Sequence, residues 1–189
     1  MSERGMGDQG MDVLRELGFT QAEIAELWEK AFTALDGLWF IGVEKELGFE
    51  AALRIDIEVW KGFGLSLIRR MKKMGKPLRP SHEEVLKMLK TLFFLGHLPV
   101  GVEEEAQGSY LFRVTTCPWW ENMKRAGREG LVPCHVVDQE IFKVWLPALD
   151  EGLAFQFLSS RPQGDNLCQW RISFGNHPSP LQIPERNRG

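Results

Sequence analysis

What constrains this chain most is a long helical stretch that cannot cover its own apolar surface. Thr20 and Glu23 have the spacing of a capping box, in which each side chain accepts the other's backbone N–H. Phe19 and Ile24 flank it as a hydrophobic staple would. Apolar residues then recur at Ile24, Leu27, Trp28, Ala31, Leu35, Leu38, Trp39 and Val43, which is helical spacing. Gly48 suits the residue just past a helix end. A second helix is expected over 50–73, broken by Gly75, Pro77 and Pro80. A third opens at the Ser81–Glu84 box and runs to about Phe94. Neither these helices nor the C-terminal half of the chain can bury an apolar face alone, so the two halves must share a core.

After Pro99 the pattern changes. Residues 100–105 and 110–116 read as strands joined through Gln107-Gly108. Residues 118–126 read as a short helix stopped by Gly127, and 138–145 as another with Asp138 as N-cap. Strands over 154–159 and 167–174 close the domain around the turn 161–165. The expected fold class is α+β: an N-terminal helical half, a helix hairpin plus a third helix, packed on a four-stranded antiparallel sheet with inserted helices. Residues 1–10 are expected to be a disordered start, 11–174 one domain, and 175–189, with Pro178, Pro180 and Pro184, a loose tail.

A chain of 189 residues that is 43% hydrophobic suits one domain with a full core. The net charge of −3 and the lack of a basic block argue against nucleic acid as the main partner. The basic run 69–73 suits a solvated helix end. No apolar run reaches the roughly 20 residues of a membrane span, and the polar start has no signal-like core. The expected location is the cytoplasm, where three cysteines stay reduced. Exposed apolar positions on the helical half leave room for a homodimer, though no heptad demands one.

Cys117, in Thr-Thr-Cys-Pro-Trp-Trp, falls where a strand becomes a helix, with Pro118 at the first helical position and Cys117 as N-cap. The positive end of a helix dipole lowers a thiol's pKa and raises its thiolate fraction. Trp119 and Trp120 stand ready to wall a pocket beside it. His135 is a candidate general base acting across space, although Cys134 beside it diverges from it along the chain. Asp165 is a candidate to orient that imidazole, or a turn residue. Cys168 shares strand parity with Trp170, Ile172 and Phe174, so it faces the core side. No C-x₂₋₄-C knuckle is present, which leaves a dispersed zinc or iron site from Cys117, Cys134 and Cys168 as an alternative, and simple packing of all three as another.

A second cluster lies in the helical half. Asp36, Phe40 and Glu44 share one face of the first helix, and Asp56 and Trp60 one face of the second. Antiparallel packing about Gly48 pairs residues whose numbers sum to about 96, which brings Asp36 toward Trp60 and Phe40 toward Asp56. Asp36, Glu44 and Asp56 then meet in a seam with Trp39, Phe40 and Trp60, either as a ligand contact or as a hydrogen-bonded buried network.

The segment 35–44, with Gly48, Ala51, Asp56, Val59 and Trp60, resembles the signature of the L-2-amino-thiazoline-4-carboxylic acid hydrolase family. Cys117-Pro118, Cys134 and Gly164-Asp165 followed by Cys168 extend the likeness, which covers about residues 15 to 174. The resemblance implies a hydrolase that opens a small ring containing sulfur and nitrogen. The later half also resembles V4R-type ligand-binding domains, which implies a pocket without catalysis. Two functions are therefore open. In the hydrolase, which requires no cofactor, a Cys117 thiolate attacks a C=N or C=O carbon, His135 carries the proton, Asp165 holds the imidazole, and Trp119, Trp120 and Trp170 hold the substrate. In the alternative, the chain is a non-catalytic module that binds a small ligand or metal and signals to a partner.

Overall fold

A computed structural model of the chain describes residues 13–77, 81–106 and 108–175. The expected disordered start, nearly all of the expected tail, Pro80 and Gln107 lie outside them.

The helical half forms as its caps dictate. Helix α1 (Gln21–Leu47) starts at Thr20, whose hydroxyl accepts from Glu23 N at 3.2 Å while the Glu23 carboxylate accepts from Thr20 N at 2.8 Å. Gly48, at φ +85°, donates its N–H to Glu44 O at 2.8 Å and is also the N-cap of α2 (Phe49–Lys73), so one residue joins the helices. The pairing expected about Gly48 is seen in the rings: Phe32 of α1 lies 6.1 Å from Trp60 and 5.8 Å from Phe63 of α2. Helix α3 (His82–Leu95) is capped by Ser81 Oγ, which accepts from Glu84 N.

The sheet contains β1 (Gly101–Ala106), β2 (Ser109–Val114), β3 (Leu153–Ser159) and β4 (Cys168–Phe174) in the order β1-β2-β4-β3, antiparallel throughout. Between β2 and β3 come α4 (Pro118–Arg125) and α5 (Cys134–Leu149). Cross-strand rows set the buried face: Phe112 pairs with Trp170 and Trp170 with Phe157, while Ile172 pairs with Phe155. The opposite face is charged, with Arg171 on Glu105 at 2.6 Å and Arg113 on Glu103 at 2.5 Å. This alternation is that of a sheet wetted on one side. Helices α3 and α5 cover the apolar side: Phe93 stacks on Trp170 at 5.6 Å, and Phe142 meets Phe155 at 4.6 Å. The α+β architecture is therefore as the sequence predicts.

Two expectations need correction. Helix α5 begins at Cys134 after Pro133, four residues before Asp138, so Asp138 is inside the helix and not its N-cap. Beyond Ile24, which is buried, most of the apolar stripe of α1 stays out of the core. Trp28, Leu35, Leu38 and Trp39 are exposed, and the inward face of α1 carries Thr33, Asp36, Gly37 and Phe40.

One rigid side chain is central to how the helix hairpin docks on α5, where Lys61–Glu140 and Lys72–Ala148 O also join them. Trp145, 4% exposed, donates its indole N–H to Trp60 O at 3.2 Å and Lys61 O at 3.3 Å. It occupies the space where Gly64 lacks a side chain: a Cβ there would stand 1.9 Å from Trp145 Cε2. Gly64→Ala is expected to destabilise the protein by about 3 kcal/mol in urea unfolding, although alanine favours helix over glycine by about 1 kcal/mol. A neutral or stabilising result contradicts this packing.

Candidate functional site

Between the hairpin, α4, α5 and the sheet lies a cavity of about 260 Å³. Its wall is largely apolar, with Trp60, Trp119, Trp120, Phe142, Trp145 and Trp170 among the aromatics. The three thiols meet here. Cys117 ends the turn after β2, Cys168 opens β4 opposite Val114, and Cys134 opens α5; all three are on the lining. Asp36 and Asp56 reach it from α1 and α2, and Asp138 from α5.

Cys117 is the N-cap of α4, as its Pro118 suggests, and Sγ accepts from Trp120 N at 3.3 Å. Burial outweighs that hydrogen bond and pushes the thiol up to about 11. Burial pushes Cys134 well above its ordinary value and raises Cys168 too. All three are therefore thiols near neutral pH. Among the described residues no group of three His, Cys, Asp or Glu side chains is placed to hold a metal ion. The zinc or iron reading of Cys117, Cys134 and Cys168 gains nothing from the geometry.

His135 lies away from the lining, with its Nδ1 buried and unpartnered among the described residues. Burial lowers its pKa. Asp165 accepts from Ser160 N at 2.9 Å across the turn into β4, and it too is absent from the lining. Of the hydrolase set, Cys117, Trp119, Trp120 and Trp170 reach the cavity wall.

At the hairpin end the pairing brings Asp36, Asp56 and Trp60 together. Burial raises Asp36 to about 6. Burial first, and the Asp36 charge second, raise Asp56 to about 7, while the Trp60 indole lowers both. Asp56 Oδ1 has no hydrogen-bond partner among the described residues, and neither has Trp170 Nε1. Two expected members are elsewhere. Trp39 points to solvent, 53% exposed, because it sits on the outer face of α1. Glu44 pairs with Arg128, from the α4–α5 connection, at 2.6 Å.

Asp138 was missed as a site residue. Burial pushes it up to about 7. A helix begun at Cys134 puts Cys134, Asp138, Ile141 and Trp145 on one face, so the signal was present once the helix start was set correctly. Arg128 left no signal: it follows Gly127 in a loop 84 positions from its partner.

A family model described as a family of unknown function, DUF6125, matches residues 19–174. No curated protein matches the sequence. Among solved structures, a trafficking protein particle complex subunit 3 from Naegleria fowleri, covalently bound to palmitic acid, aligns with TM-score 0.51 at 14% identity, over 80% of this chain and 98% of that one. The phenol-responsive sensory domain of the transcription activator PoxR, with phenol, aligns with TM-score 0.52 at 18% identity, over 76% of this chain and 74% of that one. These likenesses show a shared fold. Neither the matching family model nor these two structures support the hydrolase family that the N-terminal segment resembles.

Asp138 makes stability depend on pH. Its folded pKa is raised from 3.8 to about 7, so the native state holds the proton more tightly than the unfolded chain. The penalty is absent below about pH 4, grows between 4 and 7, and is complete above 7. Asp138→Asn should raise the Tm by about 10 °C at pH 8 and by almost nothing at pH 4. An equal shift at both pH values contradicts a charged, desolvated Asp138.

Proposed function

This chain belongs to DUF6125, a family of unknown function, and we propose that it is a small-molecule-binding module whose ligand is compact and largely apolar. One observation carries the reading: a space of about 260 Å³ with an aromatic wall, onto which buried polar atoms without partners, Asp56 Oδ1 and Trp170 Nε1, are placed. Buried polar groups are almost always hydrogen-bonded, so such atoms favour a binding partner that comes from outside the chain. An engineered apolar cavity of about 150 Å³ accepts benzene, which makes a one- or two-ring molecule a reasonable fit here. Phenol in one protein of this fold supports this class of ligand, and palmitic acid in another supports an apolar one. The thiols then serve as soft, polarisable wall.

The hydrolase reading has weaker support. A nucleophile needs a thiolate, and burial holds Cys117 as a thiol up to about 11. Asp165 is engaged with Ser160 N across its turn, and His135 is off the cavity wall. Activation by these two groups would need a rearrangement.

Gly37 supplies a test. It lies on the lining, and nothing stands within 4 Å of a Cβ added there, so a leucine side chain has room to grow into the cavity. A one-ring ligand present at about 100 times its Kd should raise the wild-type Tm by roughly 5–10 °C. Gly37→Leu should abolish that rise while folding normally, and Cys117→Ser should retain it. Loss of binding in Cys117→Ser with binding kept in Gly37→Leu contradicts the proposal.

Self-association is the second part of the reading. Trp28, Leu35 and Leu38 of α1 are each about two-thirds exposed, and Val59 of α2 adds to the apolar surface of the hairpin. Large exposed apolar patches mark interaction sites. Sedimentation should show a homodimer, and Leu35→Lys with Leu38→Lys should give a monomer. A wild-type protein that sediments as a monomer at every concentration argues against it.

A further inference from the structure

The carboxyls at the hairpin end of the cavity lack a counter-charge. Asp56 is nine-tenths buried, is on the cavity lining, and has an Oδ1 with no partner among the described residues. Asp36 reaches the same region from α1, near enough that its charge acts on Asp56. Two arginines reach the lining, and one of them, Arg161, keeps its Nη1 buried and without a partner among the described residues. Arg128 pairs with Glu44 at 2.6 Å. Arg161 donates to Asn166 O at 3.1 Å and to Thr115 O. The other titratable groups on the wall are Asp138 and the three thiols, none of them cationic. Arg161 acts on Cys168, at the start of β4, and no cation acts on Asp36 or Asp56, so the hairpin end of the lining has two carboxyls and no counter-charge.

Aromatic surface adjoins this acidic end. Trp60 and Trp119, both on the lining, meet at 5.7 Å and 87°, so their ring planes form a corner. Indole faces attract cations, and buried carboxylates are stable when a cation pairs with them.

On the premise that the cavity binds a ligand, we propose that the ligand is an apolar amine, its protonated nitrogen at Asp36 and Asp56 and its ring or hydrocarbon body against Trp60 and Trp119. An ammonium supplies the positive charge that the hairpin end lacks, donates to the orphaned Oδ1, and meets indole surface. A neutral alcohol of the same shape supplies at most one or two hydrogen bonds. A carboxylate ligand meets repulsion from acids of its own sign.

The experiment is titration calorimetry of the full chain with size-matched sets: 2-phenylethylamine, 2-phenylethanol and 3-phenylpropionate, then tryptamine and tryptophol. At pH 7.5 the amines should bind about tenfold tighter than the alcohols, and the acid should not bind detectably. Asp56→Asn should bring the amines down to the level of the alcohols and leave the alcohols within about threefold. Since Asp56→Asn alters a buried group, the wild-type pH profile is an independent readout. Amine affinity should fall between pH 7.5 and 5 as Asp36 and Asp56 take up protons, while alcohol affinity stays level or rises. If alcohols bind as tightly as amines, the amine assignment falls and the binding module stands. Amine affinity unmoved by Asp56→Asn overturns it as well. If no member of the sets binds, the binding module and the amine assignment fail together.

Discussion

The seating of Trp145 against Gly64 holds the two halves of the molecule in register. An indole has no flexible end to retreat, and this one is bonded to two backbone carbonyls of α2. The same helix, α5, rests on the sheet through Phe142, which meets Phe155 at 4.6 Å and Trp170 at 5.9 Å. The hairpin is thus tied to the sheet through a chain of rigid rings. The walls of the cavity come from both bodies, so its width depends on the docking distance that a missing Cβ permits.

Within that space burial is the stronger force on the three thiols and on Asp36, Asp56 and Asp138. Cys117 shows the competition most directly. Its position at the start of α4 and the Trp120 N–H both favour a thiolate, yet desolvation prevails. Dipole effects at helix ends are modest, whereas full burial moves a pKa by several units. The carboxyls respond in the same direction. Placing charge-bearing side chains on an apolar wall is costly, and that cost is consistent with a site shaped for something that arrives from outside.

Much of the fold was legible because its signals are local. The Thr20–Glu23 box, the Gly48 stop, Ser81 and the Cys117-Pro118 step each set an end of an element within a few residues of where it lies. Strand parity placed Cys168 and Trp170 on one face, and the sum rule about Gly48 brought Asp36 to Trp60. What was not legible depends on orientation in the whole. The period of α1 is plain, but period alone does not say which of its faces turns inward, so Trp39 was assigned to the seam and is exposed. Pro133 starting a helix shifted Asp138 from cap to cavity wall. The Glu44–Arg128 pair spans 84 positions, and no spacing rule reaches that far.

The single-residue joint at Gly48 has a consequence for how this architecture can vary. Each helical residue turns the chain by about 100°, so an extra residue inside either arm would rotate its distal part relative to the other arm and carry Asp36 and Asp56 apart. The joint has no slack to absorb such a change, because Gly48 closes one helix and opens the next. The connection over 127–133, which touches α1 through Arg128 and Glu44, includes turn and irregular backbone and can lengthen with less disturbance. Insertions there would reshape the wall around Arg128 and leave the register of Asp36 and Asp56 unchanged, so these two parts of the chamber are free to diversify at different rates.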